Sequence, residues 1–220
     1  MLYLFDIDGT LVDTGGAGMA ALQEATREVF GHDGPALDLA GSTDLGLIAM
    51  IYSHFELEPT PERVLNYFAV YEARLDWNLA HGNFPGKVYD GVQLLLDELS
   101  GRPHATLGLL TGNTVGGAAS KMRHFGLAAY FQFGAYGSDH ADRNLLGPIA
   151  LQRAAIAKAG RDFYPEKTLV IGDTPKDIAC AHSMGAKCLA VATGSFTAAQ
   201  LAASGADYVV ESLDEALGWI

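Results

Sequence analysis

The chain has 220 residues, 49% of them hydrophobic, so it can form one large domain or a core with a smaller insertion. Its formal net charge of −12 disfavours sequence-independent binding to nucleic acid, which requires clustered lysine and arginine. An apolar run of about 18 residues is absent, as is a basic, signal-like N-terminal segment, so we expect a cytoplasmic protein without a membrane span. The two cysteines, Cys180 and Cys188, are expected as buried thiols.

The first predicted element is a buried strand over residues 2–5, and two aspartates follow it directly. Asp6 and Asp8 are two positions apart and would therefore point to the same side of the strand. Gly9 then lets the chain turn. Ligands of open α/β sheets bind beyond the carboxyl ends of the strands. Two carboxylates at such an end either repel each other or share a cation, and Mg²⁺ is a suitable one.

Three helical patterns follow, with no strand pattern between them: residues 19–30, 45–52 and 62–80. Ser42 or Thr43 is expected to cap the second of these helices. Thr60 is expected to cap the third, because Pro61 behind it suits the first helical position. This stretch of the chain is therefore predicted to be entirely helical.

Two breaks in composition delimit the helical stretch. Three glycines at residues 15–18 predict a flexible joint, and a break at residues 81–87 contains both glycine and proline. We therefore predict two units. The first is a cap of residues 15–86, which would lie over the carboxyl ends of the strands. The second is a core formed by residues 1–14 and 87–220.

Strand and helix patterns alternate through the rest of the chain. The predicted strands cover residues 106–110, 130–133, 168–171, 187–192 and 208–210. The predicted helices cover residues 91–99, 115–125, 146–159, 175–184, 197–203 and 213–217. Such alternation predicts an α/β fold, in which a Rossmann-like, doubly wound parallel sheet carries helices on both faces.

Two further predicted strands end in polar residues. Thr111, Gly112 and Asn113 follow one of them, and a hydroxyl with nearby backbone N–H groups can hold a phosphoryl oxygen. Asp173 ends the other strand, four residues before Asp177. Because all these strand ends would meet at one edge of the sheet, we expect a shared site that contains carboxylates and a hydroxyl.

These motifs together resemble the haloacid dehalogenase (HAD) superfamily of hydrolases. Residues 6–11, D-I-D-G-T-L, resemble its first motif, and residues 172–177, G-D-T-P-K-D, resemble its fourth. The strand that ends in Thr111 resembles the second motif. The helical cap is similar to the C1-type cap of phosphoglycolate-phosphatase-like members. The resemblance implies an Mg²⁺-dependent phosphatase that acts on a small phosphorylated metabolite.

The resemblance also implies residue roles. Asp6 is the nucleophile that forms an aspartyl phosphate, Asp8 is the acid and base, and Thr10 helps to position Asp8. Mg²⁺ would be held by Asp6, the backbone carbonyl of Asp8, and Asp173, with Asp177 bracing the site. The phosphoryl oxygens would be held by Thr111, Gly112 and Asn113.

The third motif departs from the family pattern, which usually has a lysine before the helix that precedes the fourth motif. Residues 137–144 contain no lysine, and Arg143 is the suitably placed cation. We therefore expect Arg143 to offset the carboxylates and contact the phosphoryl group, although its planar fork differs from an ammonium. Lys121 and Lys158 are alternatives, but their patterns are those of helix-surface residues.

The sequence leaves two other functions open and disfavours a third. A phosphomutase similar to β-phosphoglucomutase would use the same residues but return the phosphoryl group to its substrate. A non-catalytic HAD-fold binding protein is the second, given the missing lysine. A dehalogenase is disfavoured, because Asp8 is present where those enzymes typically have another residue. Residues 41–44 are the expected substrate-selecting segment of the cap, and the protein is expected to be a monomer or homodimer.

Overall fold

Eight strands and eight α-helices make up the fold, which is described by a computed structural model covering residues 1–220. The strands are β1 Leu2–Phe5, β2 Val12–Asp13, β3 Lys87–Val88, β4 Thr106–Thr111, β5 Gly134–Tyr136, β6 Thr168–Gly172, β7 Lys187–Val191 and β8 Tyr208–Val210. The helices are α1 Ala17–Phe30, α2 Asp44–His54, α3 Pro61–His81, α4 Val92–Ser100, α5 Val115–His124, α6 Leu146–Ala157, α7 Pro175–Ser183 and α8 Ala198–Ala203. None of the helices is both long and apolar enough to cross a membrane.

Six of the strands form one sheet in the order β5-β4-β1-β6-β7-β8, and all neighbouring pairs are parallel. This confirms the predicted Rossmann-like α/β fold. Phe5, the last residue of β1, pairs with Leu109 of β4 on one side and with Ile171 of β6 on the other. The carboxyl ends of these three adjacent strands therefore meet at the centre of one edge of the sheet.

The sheet separates two hydrophobic clusters, and β1 contributes to both. Tyr3 and Phe5 belong to a cluster of 21 buried residues, whereas Leu2 and Leu4 belong to a cluster of 16 on the other face. Successive side chains of a strand point to opposite faces, and both faces here are covered by other elements. This explains why β1 is apolar at every position.

The three helices of the cap have their own cluster of 12 buried residues. The Thr43 and Thr60 side chains accept hydrogen bonds from the N–H groups of Gly46 and Arg63, so each caps its helix as predicted. The separate cluster supports the division of the chain into cap and core, which remains a prediction. A two-stranded antiparallel ribbon, β2 with β3, lies where the chain leaves and re-enters the core. It was not predicted, because two-residue strands carry no periodic pattern.

Two predicted elements are wrong. The strand expected over residues 130–133 begins instead at Gly134, and residues 128–130 form a 3-10 turn. Apolar Tyr130 and Phe131 suggested a strand, but they pack from outside the sheet against its hydrophobic cluster. Glycine has a low strand propensity, and Gly134 belongs to a strand only because it pairs with β4. The closing helix expected over residues 213–217 is a short 3-10 turn.

Candidate active site

The site begins at the turn that follows β1. Asp6 is buried, and Gly9 adopts a positive φ of 81° that favours glycine. A Cβ at Gly9 would lie 2.2 Å from Oδ2 of Asp173, so the turn presses its backbone against that carboxylate. The chain can therefore bring the ends of β1 and β6 together only with glycine at this position.

Three carboxylates converge at this point. The ligand atoms of Asp6, Asp173 and Asp177 all lie within 4.8 Å of one another, and all three residues are buried. Burial raises the pKa of Asp6 and of Asp173 above the ordinary aspartate range, and the neighbouring carboxylates raise both further. Arg143 opposes this shift in the pKa of both groups. With all three carboxylates ionised, the cluster would carry more negative charge than Arg143 neutralises.

The side chain of Asp177 is already bonded through both oxygens. Its Oδ2 accepts from the backbone N–H and the hydroxyl of Thr174, at 3.0 and 2.7 Å, in a capping box that begins α7. Its Oδ1 accepts from Arg143. Asp177 thus holds both the start of α7 and the guanidinium of Arg143. Asp6 and Asp173 have fewer hydrogen bonds and are therefore more available to bind a cation.

Arg143 lies inside the carboxylate cluster. Its Nη2 is 3.3 Å from Oδ1 of Asp6, also contacts Asp177, and donates to the carbonyl of Leu110 at 3.3 Å. Burial disfavours the charged guanidinium, but the charges of Asp177 and Asp6 outweigh this and raise the pKa of Arg143. Its Nε is a buried donor without a partner. The departure in the third motif thus corresponds to a buried cation beside Asp6, as the sequence suggested.

Lys121 is a second buried cation, and the prediction that it lies on a helix surface is wrong. Its Nζ is 2.7 Å from both carboxylate oxygens of Asp8 and 2.6 Å from Oδ1 of Asn113. The signal was available in the sequence, because Lys121 shares a helical face with the apolar residues Ala118 and Met122, which are also buried. Lys158, by contrast, is exposed as expected.

Asp8 is turned away from the carboxylate cluster and toward Lys121. Its side chain is 44% exposed, and Oδ2 accepts from Nδ2 of Asn113 at 2.8 Å. The same amide nitrogen donates to the Thr111 hydroxyl at 2.8 Å. The sequence predicted that Thr10 would position Asp8. In the structure, the Thr10 hydroxyl donates instead to Asp173 at 3.3 Å. The site therefore has two charged halves, one around Asp6 and one around Asp8.

The cap rests on the core at the loop that follows β4. The backbone N–H of Asp44 donates to the carbonyl of Gly112, and the Asp44 carboxylate accepts from the N–H of Thr114, both at 2.7 Å. A Cβ at Gly112 would lie only 1.8 Å from the carbonyl oxygen of Ser42. Burial raises the pKa of Asp44 to about 7, although the charge of Lys121 opposes the shift. The N-terminus of α2 is thus docked directly on the predicted phosphate-binding loop.

A cavity of about 610 Å³ lies between the cap and the core. Six of the predicted site residues line it: Asp6, Asp8, Gly112, Asn113, Arg143 and Asp173. The other three, Thr10, Thr111 and Asp177, lie behind the lining and contact it through hydrogen bonds. Among the aromatic residues of α3, Tyr71 lines the cavity. Pockets of this volume bind small molecules and cofactors.

Comparison with known proteins gives a consistent result. The sequence profile of the haloacid dehalogenase-like hydrolases matches residues 3–191, from β1 to β7 and including the cap. A phosphoglycolate phosphatase of Agrobacterium fabrum is 27% identical over 198 residues, covering 88% of this chain and 81% of that protein. A 5′-nucleotidase of Pseudomonas aeruginosa is 30% identical over 199 residues, covering 87% and 82% respectively. The crystal structure of CbbY from Rhodobacter sphaeroides in complex with phosphate has a similar fold, with a TM-score of 0.71 at 20% identity over 97% of this chain and 95% of CbbY.

Proposed function

The chain belongs to the haloacid dehalogenase-like hydrolases, and from this premise we propose that it is an Mg²⁺-dependent phosphatase of a small phosphorylated metabolite. The observation that carries the proposal is the division of the site. Asp6 faces the cavity beside Asp173 and Arg143, whereas Asp8 faces the same cavity from beside Lys121. These surroundings suit different roles: burial raises the pKa of Asp6, so a nucleophile there needs a cation to stay ionised, whereas Asp8 is partly exposed and can exchange a proton.

The carboxylate cluster suits a divalent cation that prefers oxygen ligands. Asp6, Asp173 and Asp177 bring three carboxylates together against one guanidinium, which leaves a charge that Mg²⁺ would balance. Both oxygens of Asp177 are bonded to Thr174 and Arg143. Asp6 and Asp173, with the backbone carbonyl of Asp8, are therefore the proposed ligands. When bound, Mg²⁺ would neutralise the oxygens of the nucleophile and the phosphoryl group.

The reaction itself is assigned to Asp6 and Asp8. A carboxylate oxygen of Asp6 attacks phosphorus, and the bond from phosphorus to the alcohol oxygen breaks to leave an aspartyl phosphate. Asp8 gives its proton to the departing alcohol oxygen. It then removes a proton from the water that attacks phosphorus, which returns Asp6 as a carboxylate and releases inorganic phosphate.

The remaining polar residues orient these groups. Arg143, at 3.3 Å from Asp6, is proposed to hold the nucleophile and to contact a phosphoryl oxygen. The loop after β4 would hold other phosphoryl oxygens through Thr111, Gly112 and Asn113. Lys121 donates to both carboxylate oxygens of Asp8 and so holds this side chain in place. The cap, residues 15–86, is proposed to limit the entry of bulk water once substrate fills the cavity.

The decisive experiment is a phosphate-release screen over phosphorylated metabolites with Mg²⁺ present. We expect release from at least one phosphate monoester and none from the same ester with the Asp6→Asn variant, because an amide is a poor nucleophile. A folded wild-type protein that releases no phosphate from any ester, including the activated p-nitrophenyl phosphate, would contradict the proposal. Turnover by Asp6→Asn at the wild-type rate would contradict the assignment of the nucleophile.

A further inference from the structure

The cavity has few cations, and both of them are already paired. Lys121 and Arg143 are the only basic residues that line it, and no histidine does. Lys121 is bonded to Asp8, and Arg143 contacts Asp6 and Asp177. Six aspartates line the same cavity: Asp6, Asp8, Asp13, Asp38, Asp44 and Asp173. Positive charge is therefore confined to the phosphoryl end of the cavity.

The cap side of the cavity is apolar or acidic. Its hydrophobic lining consists of Met19, Leu22, Leu37, Leu39, Ala40, Leu47 and Tyr71. Its charged lining consists of Asp38 and Asp44, with no lysine, arginine or histidine of the cap among the lining residues. A leaving group that extends from the phosphoryl end toward the cap would thus meet aliphatic and aromatic side chains and the carboxylate of Asp38, while the Asp44 carboxylate is already bonded to the N–H of Thr114.

The carboxylate of Asp38 is held in place by the cap loop itself. Its Oδ1 accepts from the backbone N–H of Ala40 at 3.0 Å, and its own carbonyl accepts from the Ser42 hydroxyl at 2.8 Å. Ser42 is in turn bonded to Lys176 of the core at 2.8 Å. These hydrogen bonds tie the loop that carries Asp38 to the core, and Asp38 is an exposed residue that lines the cavity.

Resting on the proposed function, we propose that the substrate is a phosphate monoester of an uncharged alcohol that carries an apolar ring, and that esters with a second anionic group are rejected. A carboxylate or second phosphoryl group on the leaving group would meet the Asp38 carboxylate and an apolar wall, with no lysine, arginine or histidine of the cap lining to pair with it. A ring instead buries apolar surface against the leucines and Tyr71.

This assignment divides the candidate metabolites by chemistry. Phosphate monoesters of uncharged alcohols with an aromatic or aliphatic ring fall in the accepted class, and a cavity of about 610 Å³ accommodates a phosphoryl group and a ring. 2-Phosphoglycolate and sugar bisphosphates fall in the rejected class. A phosphomutase passes through a bisphosphorylated sugar, so the same charge pattern favours hydrolysis over the mutase alternative.

Three synthetic esters isolate the leaving group from the rest of the reaction. Benzyl phosphate, 4-carboxybenzyl phosphate and methyl phosphate have alcohols of similar acidity, but they differ in the ring and in the carboxylate. We expect kcat/KM for benzyl phosphate to exceed that for the carboxylated ester by about tenfold or more, because like charges in a desolvated site repel strongly. Benzyl phosphate is also expected to exceed methyl phosphate, which cannot contact the apolar wall.

A charge variant tests the cause of the selection. Asp38→Asn removes the charge but keeps the oxygen that accepts from Ala40. This variant should lower the ratio of kcat/KM for benzyl phosphate to kcat/KM for 4-carboxybenzyl phosphate several-fold, chiefly by raising kcat/KM for the carboxylated ester. Glu62→Gln is the matched control, since Glu62 is an exposed acid of the cap that does not line the cavity. This control should leave the ratio at its wild-type value.

Binding gives a second measurement that does not depend on turnover. Calorimetry on the Asp6→Asn variant with Mg²⁺ should give a lower Kd for benzyl phosphate than for its carboxylated analogue. Equal or reversed preference, in turnover or in binding, would overturn the proposed selection while leaving the phosphatase assignment intact. Absence of phosphate release from every ester tested, including p-nitrophenyl phosphate, would instead overturn the proposed function.

Discussion

Removal of the buried guanidinium of Arg143 is the sharpest test of whether this residue compensates the negative charge of the carboxylate cluster. The side chain is only 6% exposed and contacts Asp6 and Asp177, while its Nη2 also donates to a backbone carbonyl. Arg143→Ala leaves these carboxylates buried beside Asp173 with no cation among them. The variant should therefore lose both phosphate release and stability.

The expected loss of stability follows from the pairing. Breaking a buried ion pair by removing one partner costs about 3–5 kcal/mol, because an uncompensated charge stays behind. Domains of this kind have a total free energy of unfolding of about 5–15 kcal/mol, so the variant should remain folded but be clearly weakened. Arg143→Lys should recover part of the loss, because its ammonium restores the charge without the planar fork that reaches two carboxylates.

Urea denaturation followed by circular dichroism measures the free energy of unfolding, and phosphate release measures activity. Arg27→Ala is the matched control, because Arg27 pairs with Asp33 outside the cavity and is 55% exposed. That pair should contribute about 1 kcal/mol or less, and its loss should leave phosphate release near the wild-type level. If Arg143→Ala costs no more stability than Arg27→Ala, Arg143 does not compensate the carboxylates and the reasoning is refuted.

Further outcomes are expected from the same site. A chelator should abolish phosphate release and Mg²⁺ should restore it; in a thermal-unfolding scan, Mg²⁺ at about 100 times its Kd should add about 2.7 kcal/mol, and full activity in the chelator would exclude a required metal. Asp8→Asn should lower kcat by about 10²–10⁴-fold while the same scan still detects Mg²⁺ binding, since the proposed ligand is the Asp8 backbone carbonyl. Lys121→Met removes the hydrogen bonds that orient Asp8 and Asn113. Because a positioned acid/base contributes about 10²–10⁴-fold, kcat should fall about 10- to 100-fold when this positioning is lost, and an unchanged kcat would make Lys121 purely structural. Asp44 has a pKa raised from 3.8 to about 7 by burial, so between these values the folded state holds a proton that the unfolded state has lost. Wild-type stability should therefore fall relative to Asp44→Asn as pH rises through this window, by up to about 1.4 kcal/mol per pH unit in urea titrations, and a constant difference would refute the shift.

The fold was largely predictable from local patterns. The apolar strands at β1, β4 and β6 each end in a polar residue, and the rule that ligands bind at carboxyl ends brings Asp6, Thr111 and Asp173 together before any coordinates are consulted. Helix capping by Thr43 and Thr60 was predictable for the same reason, since it depends on neighbours within one turn.

Contacts between distant parts of the chain were not predictable in the same way. The burial of Lys121 was indicated by the apolar face of α5 that it shares with Ala118 and Met122, but its partner Asp8 lies 113 positions away, and no local pattern predicts that contact. The docking of Asp44 on the loop after β4 likewise depends on the relative position of cap and core, which no local pattern encodes. Gly134 paired as a strand only because β4 offered it a neighbour.

The contact between Ser42 and Gly112 has a consequence for protein engineering. Any side chain at position 112 would prevent the cap from docking, since its Cβ would lie only 1.8 Å from the Ser42 carbonyl oxygen. Gly137 is equally tight, because a Cβ there would lie 1.8 Å from the carbonyl oxygen of Gly112. A cap transplanted from another member of the family can therefore seat on this core only if its own loop clears these two glycines. In chimaeras, the loop around Ser42 and the two glycines must be exchanged as one inseparable module.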